Sequence, residues 1–251
     1  MTQRIALITG GSRGLGRSMA LHLAQAGVDI ILTYQSNAAA AQEVVARIEA
    51  LGRRASALQL DTGDSASFAA FAGQVRATLA AWGHGRFDIL VNNAGAGVHV
   101  PLVDVTEAQF DSMIAMHFKA VVFLTPALLP LLNDGGRILN VSSGLTRFSL
   151  PGYGVYAAAK GAVEVLTRYQ AREFAARGIT VNVLAPGAVE TDFGGGAVRD
   201  NPDLNGMVAG MTALGRAGQP DDIGGAVAAL LAAGNGWMTG QRIEVSGGML
   251  L

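Results

Sequence analysis

Short apolar runs alternate with longer segments of helical spacing along the whole chain. The runs are bounded by Gly, Asn or Asp and cover residues 5–9, 29–34, 55–60, 89–92, 138–141, 180–185 and 243–245. Between them apolar residues recur at helical intervals, as at Leu15, Met19 and Leu23, which indicates a buried helix face. Strands that alternate with helices form parallel sheets covered on both faces. The sequence therefore predicts an α/β fold with a doubly wound, mostly parallel sheet of seven strands.

Chain length indicates one domain. At 251 residues the chain is long enough to bury one large core, and no repeat, low-complexity tract or linker divides it. We therefore predict a single domain over residues 1–251. Within it, residues 190–218 show little periodicity and include three consecutive glycines at 194–196, which is typical of a mobile lid over a substrate site.

Composition argues against several kinds of partner. Lys and Arg total 18 and Asp and Glu total 19, so the charge does not favour nucleic acid or an anionic membrane. Cysteine is absent, which excludes disulfides and thiolate metal sites. The most apolar run, residues 120–132, contains two prolines and is shorter than the roughly 20 residues that span a bilayer. The N-terminal residues lack a signal-peptide pattern, so we expect a cytoplasmic protein without a metal.

A glycine-rich turn, residues 9–16, links the first strand to the first helix. Gly10, Gly14 and Gly16 permit positive φ and a close approach of the backbone to a ligand. The helix N-terminus that follows offers N–H groups and partial positive charge to a pyrophosphate. The turn therefore predicts a dinucleotide site in a Rossmann fold. In the alternative, the glycines serve only to join a strand to a helix.

The end of the second strand indicates which dinucleotide binds. NAD enzymes usually place Asp or Glu there to bind the ribose 2′-hydroxyl, but this strand ends with Tyr34, Gln35 and Ser36. Arg13 in the glycine turn can bind a 2′-phosphate through its fork of donors, with Ser12 beside it. NADP(H) is therefore favoured over NAD(H). In the alternative, Arg13 is a solvated loop charge and the protein uses both cofactors.

Tyr156 and Lys160 stand four residues apart in a segment of helical character, so their side chains share one face. A nearby lysine cation lowers the pKa of a phenol and suits it to acid-base catalysis. Ser143 follows the fifth strand, at the strand ends where parallel sheets bind ligands, and could hold a carbonyl oxygen. Tyr153 is an internal control, because Ala157 stands four residues later. Two simpler interpretations stay open: a surface Tyr-Lys pair, and serines at 142 and 143 that only close a turn.

Together these motifs resemble the short-chain dehydrogenase/reductase family, in particular its 3-oxoacyl-carrier-protein-reductase-like members. The resemblance covers the whole chain in the family's order. It includes Asn-Asn-Ala-Gly at residues 92–95, Pro-Gly at 186–187 and Ser-Gly-Gly at 246–248. The cofactor-binding residues that it implies are Gly10, Ser12, Arg13, Gly14, Leu15, Gly16, Tyr34, Gln35, Ser36, Asp61, Thr62, Asn93, Ala94, Gly95, Tyr156, Lys160, Pro186, Gly187, Val189 and Thr191.

The resemblance also implies an oxidoreductase. Hydride would pass between NADP(H) and a carbonyl or secondary alcohol, with Tyr156 as general acid or base and Ser143 stabilising charge on the substrate oxygen. A non-catalytic nucleotide-binding scaffold would keep the fold without needing Ser143, Tyr156 and Lys160. An epimerase or dehydratase would usually carry a separate substrate domain, for which the roughly sixty residues after Thr191 leave little room.

One position departs from the family pattern. Members usually carry Asn on the long helix after the fourth strand, where it helps to hold a water of the proton relay, but this chain has His117 there. A neutral imidazole has one donor and one acceptor and can hold a water, and its charge can change between pH 5 and 8. We expect His117 to act in the relay. The alternative is a histidine that only packs in the helix interface.

The residues expected around the substrate favour a hydrophobic or mixed ketone or alcohol without identifying it. They are Leu145, Phe148, Tyr153 and Phe193. Reduction of a 3-oxoacyl group on an acyl carrier stays possible.

Two helical segments, residues 106–132 and 153–176, resemble the pair through which family members dimerise. The chain also ends with the apolar Met249, Leu250 and Leu251. We predict a homotetramer that buries this end. In the alternative, the last residues fold back onto their own subunit.

Overall fold

A sheet of seven strands forms the centre of the computed structural model, which describes residues 3–251. The strands are β1 (Ile5–Ile8), β2 (Asp29–Tyr34), β3 (Ala55–Gln59), β4 (Phe87–Asn92), β5 (Leu132–Val141), β6 (Thr180–Pro186) and β7 (Arg242–Val245). Their order is β3-β2-β1-β4-β5-β6-β7, and all neighbours pair in parallel. The predicted α/β fold is confirmed. The strand order reverses between β1 and β4, the place where open parallel sheets bind ligands.

β5 begins at Leu132, earlier than the apolar run at 138–141 predicts. Leu132 pairs with Phe87 and Arg137 pairs with Ile89, so the register shifts between them. Gly135, with a φ of +72°, lies in this irregular part. The polar and glycine residues at 133–136 have no strand pattern, so only pairing with β4 makes them part of the sheet.

Helices cover both faces of the sheet. They are α1 (Gly14–Gln25), α2 (Ala38–Ala50), α3 (Phe68–Ala81), α4 (Glu107–Met113), α5 (Ala120–Leu128), α6 (Gly154–Glu173), α7 (Ala197–Asp200), α8 (Pro202–Met211) and α9 (Pro220–Leu230). On one face α1, α2 and α9 pack against Ile8 and its neighbours. On the other face α3 and α5 pack against Leu7, because successive strand residues point to opposite sides. The core is therefore two apolar layers around one sheet.

α4 and α5 belong to one helical run, Glu107–Leu131, joined by a π-helical segment at Ile114–Lys119. By length and hydropathy alone, this run of 25 residues could cross a membrane. The apolar segment 120–132 is therefore only part of this helix, which begins well before it. The prediction that the segment is a buried helix is confirmed, since Leu124 and Leu128 pack in the core beneath the sheet.

Part of the predicted lid, residues 190–218, is helical. α7 and α8 lie within it, and Asn201 caps α8 by accepting hydrogen bonds from the backbone N–H groups of Asp203 (3.0 Å) and Leu204 (3.1 Å). Asn205 donates to Glu190 at 2.7 Å and ties α8 to the segment after β6. Capping and local hydrogen bonds hold these short helices, which is why the sequence lacks a clear apolar repeat there.

A chain of buried polar side chains joins β4 and β5 to the helices beneath them. Asn92 donates to Thr125 (3.1 Å) and to Asn140 (2.8 Å). Asn140 donates in turn to Thr167 (2.9 Å) and Gln170 (3.0 Å). These bonds satisfy amide groups that would otherwise be costly to bury, and they orient α5 and α6 against the strands that carry the candidate site.

The last three residues divide between core and surface. Met249 is buried within its own chain, and Arg147 donates to the backbone oxygens of Met249 (2.5 Å) and Leu250 (2.9 Å). Leu251 is 94% exposed. The end of the chain therefore folds back as far as Leu250, and Leu251 alone is left fully on the surface.

Candidate active site

The glycine turn lies against the loop that follows β4. Gly10 has a φ of +66°, and a Cβ there would lie 2.9 Å from the Cα of Ala94. A Cβ on Gly16 would overlap the carbonyl oxygen of Gly10. Arg13, the N-cap of α1, is extended and makes no capping hydrogen bond through its side chain within residues 3–251. The first N–H groups of α1 are thus available to an anion, as pyrophosphate binding requires.

Side-chain hydrogen bonds join the glycine turn to the residues after β4. The hydroxyl oxygen of Thr9 accepts hydrogen bonds from the backbone N–H groups of Asn93 (2.9 Å) and Ala94 (3.0 Å). The Asn93 amide donates to the carbonyl oxygens of Thr9 (2.9 Å) and Gly10 (3.2 Å). The structure therefore brings Gly10, Asn93 and Ala94 together, as expected of one cofactor site.

The end of β2 lies beside the same turn. Gly11 donates to the carbonyl oxygen of Thr33 at 2.8 Å, which places the turn next to the last residues of β2. Arg13 is exposed there, and so are Gln35 and Ser36. The residues between β2 and α2 include no carboxylate, and the last of them, Asn37, caps α2. Exposed donors without a carboxylate fit the 2′-phosphate of NADP(H).

The remaining expected cofactor residues line the carboxyl ends of the strands. Asp61 is exposed and Thr62 is buried just after β3. A cavity of about 220 Å³ lies beside Gly187 and Val189, between the ends of β6 and β7. Gly14 and Thr191 meet, since a Cβ on Gly14 would lie 3.5 Å from the Cβ of Thr191. These residues follow the line from β3 to β6 that a dinucleotide would take.

Ser143, Tyr156 and Lys160 converge at the end of β5. The Tyr156 and Lys160 side chains lie on the buried face of α6, and the Lys160 Nζ is 5.8 Å from the Tyr156 ring centroid. The Lys160 Nζ donates to the carbonyl oxygen of Val141 at 2.8 Å. The Ser143 hydroxyl accepts a hydrogen bond from the backbone N–H of Leu145 (3.2 Å) and is near enough to Tyr156 to lower the pKa of its phenol. Tyr156 and Lys160 are therefore not a surface pair.

Burial decides the protonation of this group. It raises the pKa of Tyr156 to about 12, although the neighbouring Ser143 hydroxyl acts in the opposite direction. It lowers the pKa of Lys160 to about 8. Lys160 is not among the groups that shift the pKa of the phenol, and burial is the largest of the effects that do. At neutral pH Tyr156 keeps its proton, which suits it to act as an acid.

His117 is a neutral, oriented imidazole. It lies in the π-helical segment with 2% of its surface exposed, and its Nε2 is 2.6 Å from the carbonyl oxygen of Ala96. Because a carbonyl only accepts, we assign the proton to Nε2. Burial, and then the charge of Lys160, lowers the pKa of His117 to about 3, although the Ala96 hydrogen bond raises it. The expectation that its charge changes between pH 5 and 8 is therefore wrong.

The Nδ1 atom of His117 is a buried acceptor without a hydrogen-bond partner within residues 3–251. His117 and Lys160 both line a cavity of about 10 Å³, together with Thr9 and Asn92. That volume suits one water molecule, and the lining supplies several polar groups. The geometry therefore fits a water between the histidine and the lysine.

Sequence reasoning missed how aromatic rings surround Tyr156. Phe193 lies 5.5 Å and His117 5.1 Å from the Tyr156 ring, measured between centroids. Two glycines in the loop after β4 make room for them. A Cβ on Gly95 would lie 2.6 Å from the His117 Cε1, and a Cβ on Gly97 would lie 2.5 Å from the Phe193 Cζ. The alternation Ala-Gly-Ala-Gly at residues 94–97 is the signal that could have revealed these contacts.

The other expected substrate residues follow Ser143 or precede α6. Leu145 is half-buried in the turn after Ser143, and the Phe148 ring packs against Gly144. The Tyr153 ring meets His99 edge-on at 4.9 Å, a contact that the sequence did not predict. Ser142 is buried and donates to Glu164 at 2.7 Å, which leaves Ser143 as the serine at the site.

Comparison with known proteins identifies the family. The family model described as "Enoyl-(Acyl carrier protein) reductase" matches residues 10–250. The tetrahydroxynaphthalene reductase PfmaG of Pestalotiopsis fici is 34% identical to this chain, covering 98% of it and 91% of the relative. The region that the family model matches contains Gly10, Gly14 and Gly16 of the glycine turn and the Ser143, Tyr156 and Lys160 group.

Two solved ketoreductases have closely similar structures. LugOII, described as a promiscuous reductase that catalyses keto-reduction at C1 during lugdunomycin biosynthesis, shares 39% identity with a TM-score of 0.94, covering 99% of this chain and 98% of its own. The angucycline C-6 ketoreductase LanV with bound NADP shares 36% identity with a TM-score of 0.93, covering 98% and 95%. LanV is also known with NADP and rabelomycin bound. The chain belongs to the short-chain dehydrogenase/reductase family and is an NADP-dependent oxidoreductase that transfers hydride.

Proposed function

We propose that this protein is an NADPH-dependent ketoreductase whose substrate carries its ketone on a polycyclic aromatic framework. The observation that carries the proposal is the aromatic surround of Tyr156, formed by Phe193 at 5.5 Å and His117 at 5.1 Å. Because the space beside Tyr156 accommodates the flat Phe193 ring, it suits a planar ring of a substrate. The tetrahydroxynaphthalene named for PfmaG and the rabelomycin bound to LanV support this substrate class.

The catalytic roles follow from the protonation of the buried groups. Tyr156 keeps its proton at neutral pH, because its pKa is about 12, and donates it to the ketone oxygen. Ser143 donates a hydrogen bond to the same oxygen and stabilises the charge that develops there. Lys160, oriented by the carbonyl of Val141, stabilises the phenolate that remains. NADPH, when bound, supplies the hydride that turns the carbonyl carbon into that of a secondary alcohol.

The cofactor roles assigned to the strand ends belong to the same proposal. The N–H groups at the start of α1 bind the pyrophosphate, and Arg13 binds the 2′-phosphate with Ser12, Gln35 and Ser36 around it. Lys160 also binds ribose hydroxyls. The exposed guanidinium of Arg13 and the absence of a carboxylate after β2 support this assignment.

His117 takes part in the proton relay as an acceptor. Its Nδ1 accepts a hydrogen bond from one water in the cavity that it shares with Lys160. This orients the water to take a proton from solvent and pass it to the lysine and on to Tyr156. The buried Nδ1 without a partner within residues 3–251 supports this role, because such an atom is costly unless water satisfies it.

A reductase assay with a matched variant tests the function. Purified protein is mixed with NADPH, and its oxidation is followed with a tetralone, a planar polycyclic quinone, an aliphatic ketone and a 3-oxoacyl thioester. We expect the polycyclic carbonyls to react fastest and Tyr156→Phe to lower kcat by about 10²- to 10⁴-fold while NADPH still binds.

Two outcomes would contradict the proposal. Faster reduction of the aliphatic ketone or the thioester would overturn the substrate class but keep the reaction. Cofactor binding without reduction of any carbonyl, and without oxidation of alcohols by NADP⁺, would favour the scaffold interpretation.

We also propose that the protein is cytoplasmic and forms a homotetramer in which each subunit is a single domain. Large apolar side chains on the outer faces of α4, α5 and α6 are about half exposed, and α4 packs beside α6. These side chains are Phe110, Phe123, Val165 and Tyr169. An exposed apolar patch of this kind is typical of a subunit interface. The absence of cysteine agrees with a cytoplasmic location.

A further inference from the structure

The catalytic phenol is covered by the protein itself. Tyr156 must contact a substrate oxygen, yet only 6% of its surface is exposed. His117 covers one side of its ring from the π-helical segment, deep in the fold. Phe193, which belongs to the predicted lid, covers the ring from another side and is itself 41% exposed. Of the two neighbours, Phe193 is therefore the one that can leave.

Gly97 forms a seat for the Phe193 ring. A Cβ at residue 97 would lie 2.5 Å from the Phe193 Cζ and 2.7 Å from its Cε1, distances that no real Cβ contact shows. The far edge of the ring therefore rests on the bare backbone of Gly97. The space between Gly97 and the Tyr156 ring therefore fits an aromatic ring, since the Phe193 ring occupies it.

The backbone before Phe193 is anchored by a hydrogen bond, whereas the backbone after it consists of flexible glycines. The Phe193 N–H donates to the Thr191 hydroxyl at 3.1 Å, which anchors it to the cofactor side of the site. Gly194, Gly195 and Gly196 follow directly, with φ of +61°, +74° and +82°. Glycine reaches several backbone conformations at little cost, so this segment can re-aim the ring without unfolding α8.

We propose that the Phe193 ring occupies the subsite over Tyr156 that a planar ring of the substrate takes during reduction, with Gly97 as the seat for either ring. The proposal rests on the proposed function, since it specifies where that substrate binds. Substrate and Phe193 then compete for one place. If Phe193 competes with the ligand, removing its side chain strengthens ligand binding. If Phe193 instead forms a wall of the binding site, removing it weakens ligand binding.

Binding of 9-phenanthrol, a planar aromatic alcohol, to the NADP⁺-bound protein tests the competition without turnover. We expect Phe193→Ala to lower its Kd by about 3- to 10-fold, as when a self-occupied site is opened. KM for 9,10-phenanthrenequinone falls by a similar factor. Trp237→Ala removes a fully exposed aromatic side chain and is the control, with no change in either constant.

Gly97→Ala supplies the second arm, because its methyl group would collide with the seated ring. Since either ring would rest on Gly97, we expect the methyl group to raise the Kd in the Phe193→Ala background and to raise it less in the parent, where it also displaces the competing Phe193 ring. A Kd that rises in Phe193→Ala would overturn the proposal and make Phe193 a wall. A methyl that weakens binding equally with and without Phe193 would also overturn it. Because the Kd is measured without turnover, a protein that fails to reduce any ketone can still show or lack this competition.

Discussion

Three buried side chains, Tyr156, Lys160 and His117, determine the chemistry at the scale of single residues. Burial favours the uncharged form of each group, so it raises the pKa of the phenol and lowers those of the lysine and the histidine. The result is a protonated phenol beside a neutral imidazole. Both forms suit a site that gives a proton to a substrate oxygen.

The depressed pKa of His117 predicts a pH dependence of stability. In the unfolded chain an ordinary histidine takes up a proton below about pH 6.5, whereas the folded chain resists this down to about pH 3. Low pH therefore favours the unfolded state, and stability is lost as pH falls through this window. Between pH 7.5 and 5, the parent should lose about 2 kcal/mol more unfolding free energy than His117→Asn, as measured by urea denaturation. Equal losses would mean that His117 titrates normally.

Kinetics on a second variant separate packing from the relay. His117→Phe keeps a ring beside Tyr156 but removes the Nδ1 acceptor. With the relay at work, kcat should fall by about tenfold or more while KM for NADPH stays unchanged. Superimposable pH–rate profiles for parent and variant would leave His117 with a packing role only.

At the scale of secondary-structure elements, the polar chain through Asn140 holds α6 in place against β5. Asn140→Leu removes three hydrogen bonds and leaves the buried oxygen of Gln170 without its donor. We expect the free energy of unfolding to fall by about 3 kcal/mol. Urea denaturation followed by circular dichroism measures it. Gln42→Leu, at an exposed position of α2, is the control and should change stability by less than about 0.5 kcal/mol.

At the scale of the whole molecule, the exposed apolar side chains of α4, α5 and α6 make up the proposed subunit face. Tyr169, which is 64% exposed on α6, lies on that face. Tyr169→Arg places a charge where the proposed interface would exclude water, so the solution mass should drop below that of the tetramer. Light scattering after size-exclusion chromatography at micromolar concentration measures this. Leu51→Arg, on an exposed apolar residue at the end of α2, should keep the parent mass, and a monomeric parent would end the tetramer proposal.

Most of the fold could be predicted because it is encoded by local patterns. Two apolar runs, at 5–9 and 29–34, predicted β1 and β2 with ends that differ by at most one residue. The helical spacing between the two runs predicted α1. The first part of β5 could not be predicted, since residues 133–136 join the sheet through pairing alone. The helical part of the lid was missed for a related reason, because its helices depend on caps such as Asn201.

The sequence by itself determined the α/β sheet and the residue types that cofactor and proton chemistry need at the strand ends. It did so because periodicity, glycine turns and the spacing of Tyr156 and Lys160 are properties of neighbouring residues. Only the tertiary structure decided the protonation of His117, the turn of Lys160 towards Val141 and the seating of Phe193 on Gly97. These depend on burial and on contacts between residues distant in the chain, which no local pattern records.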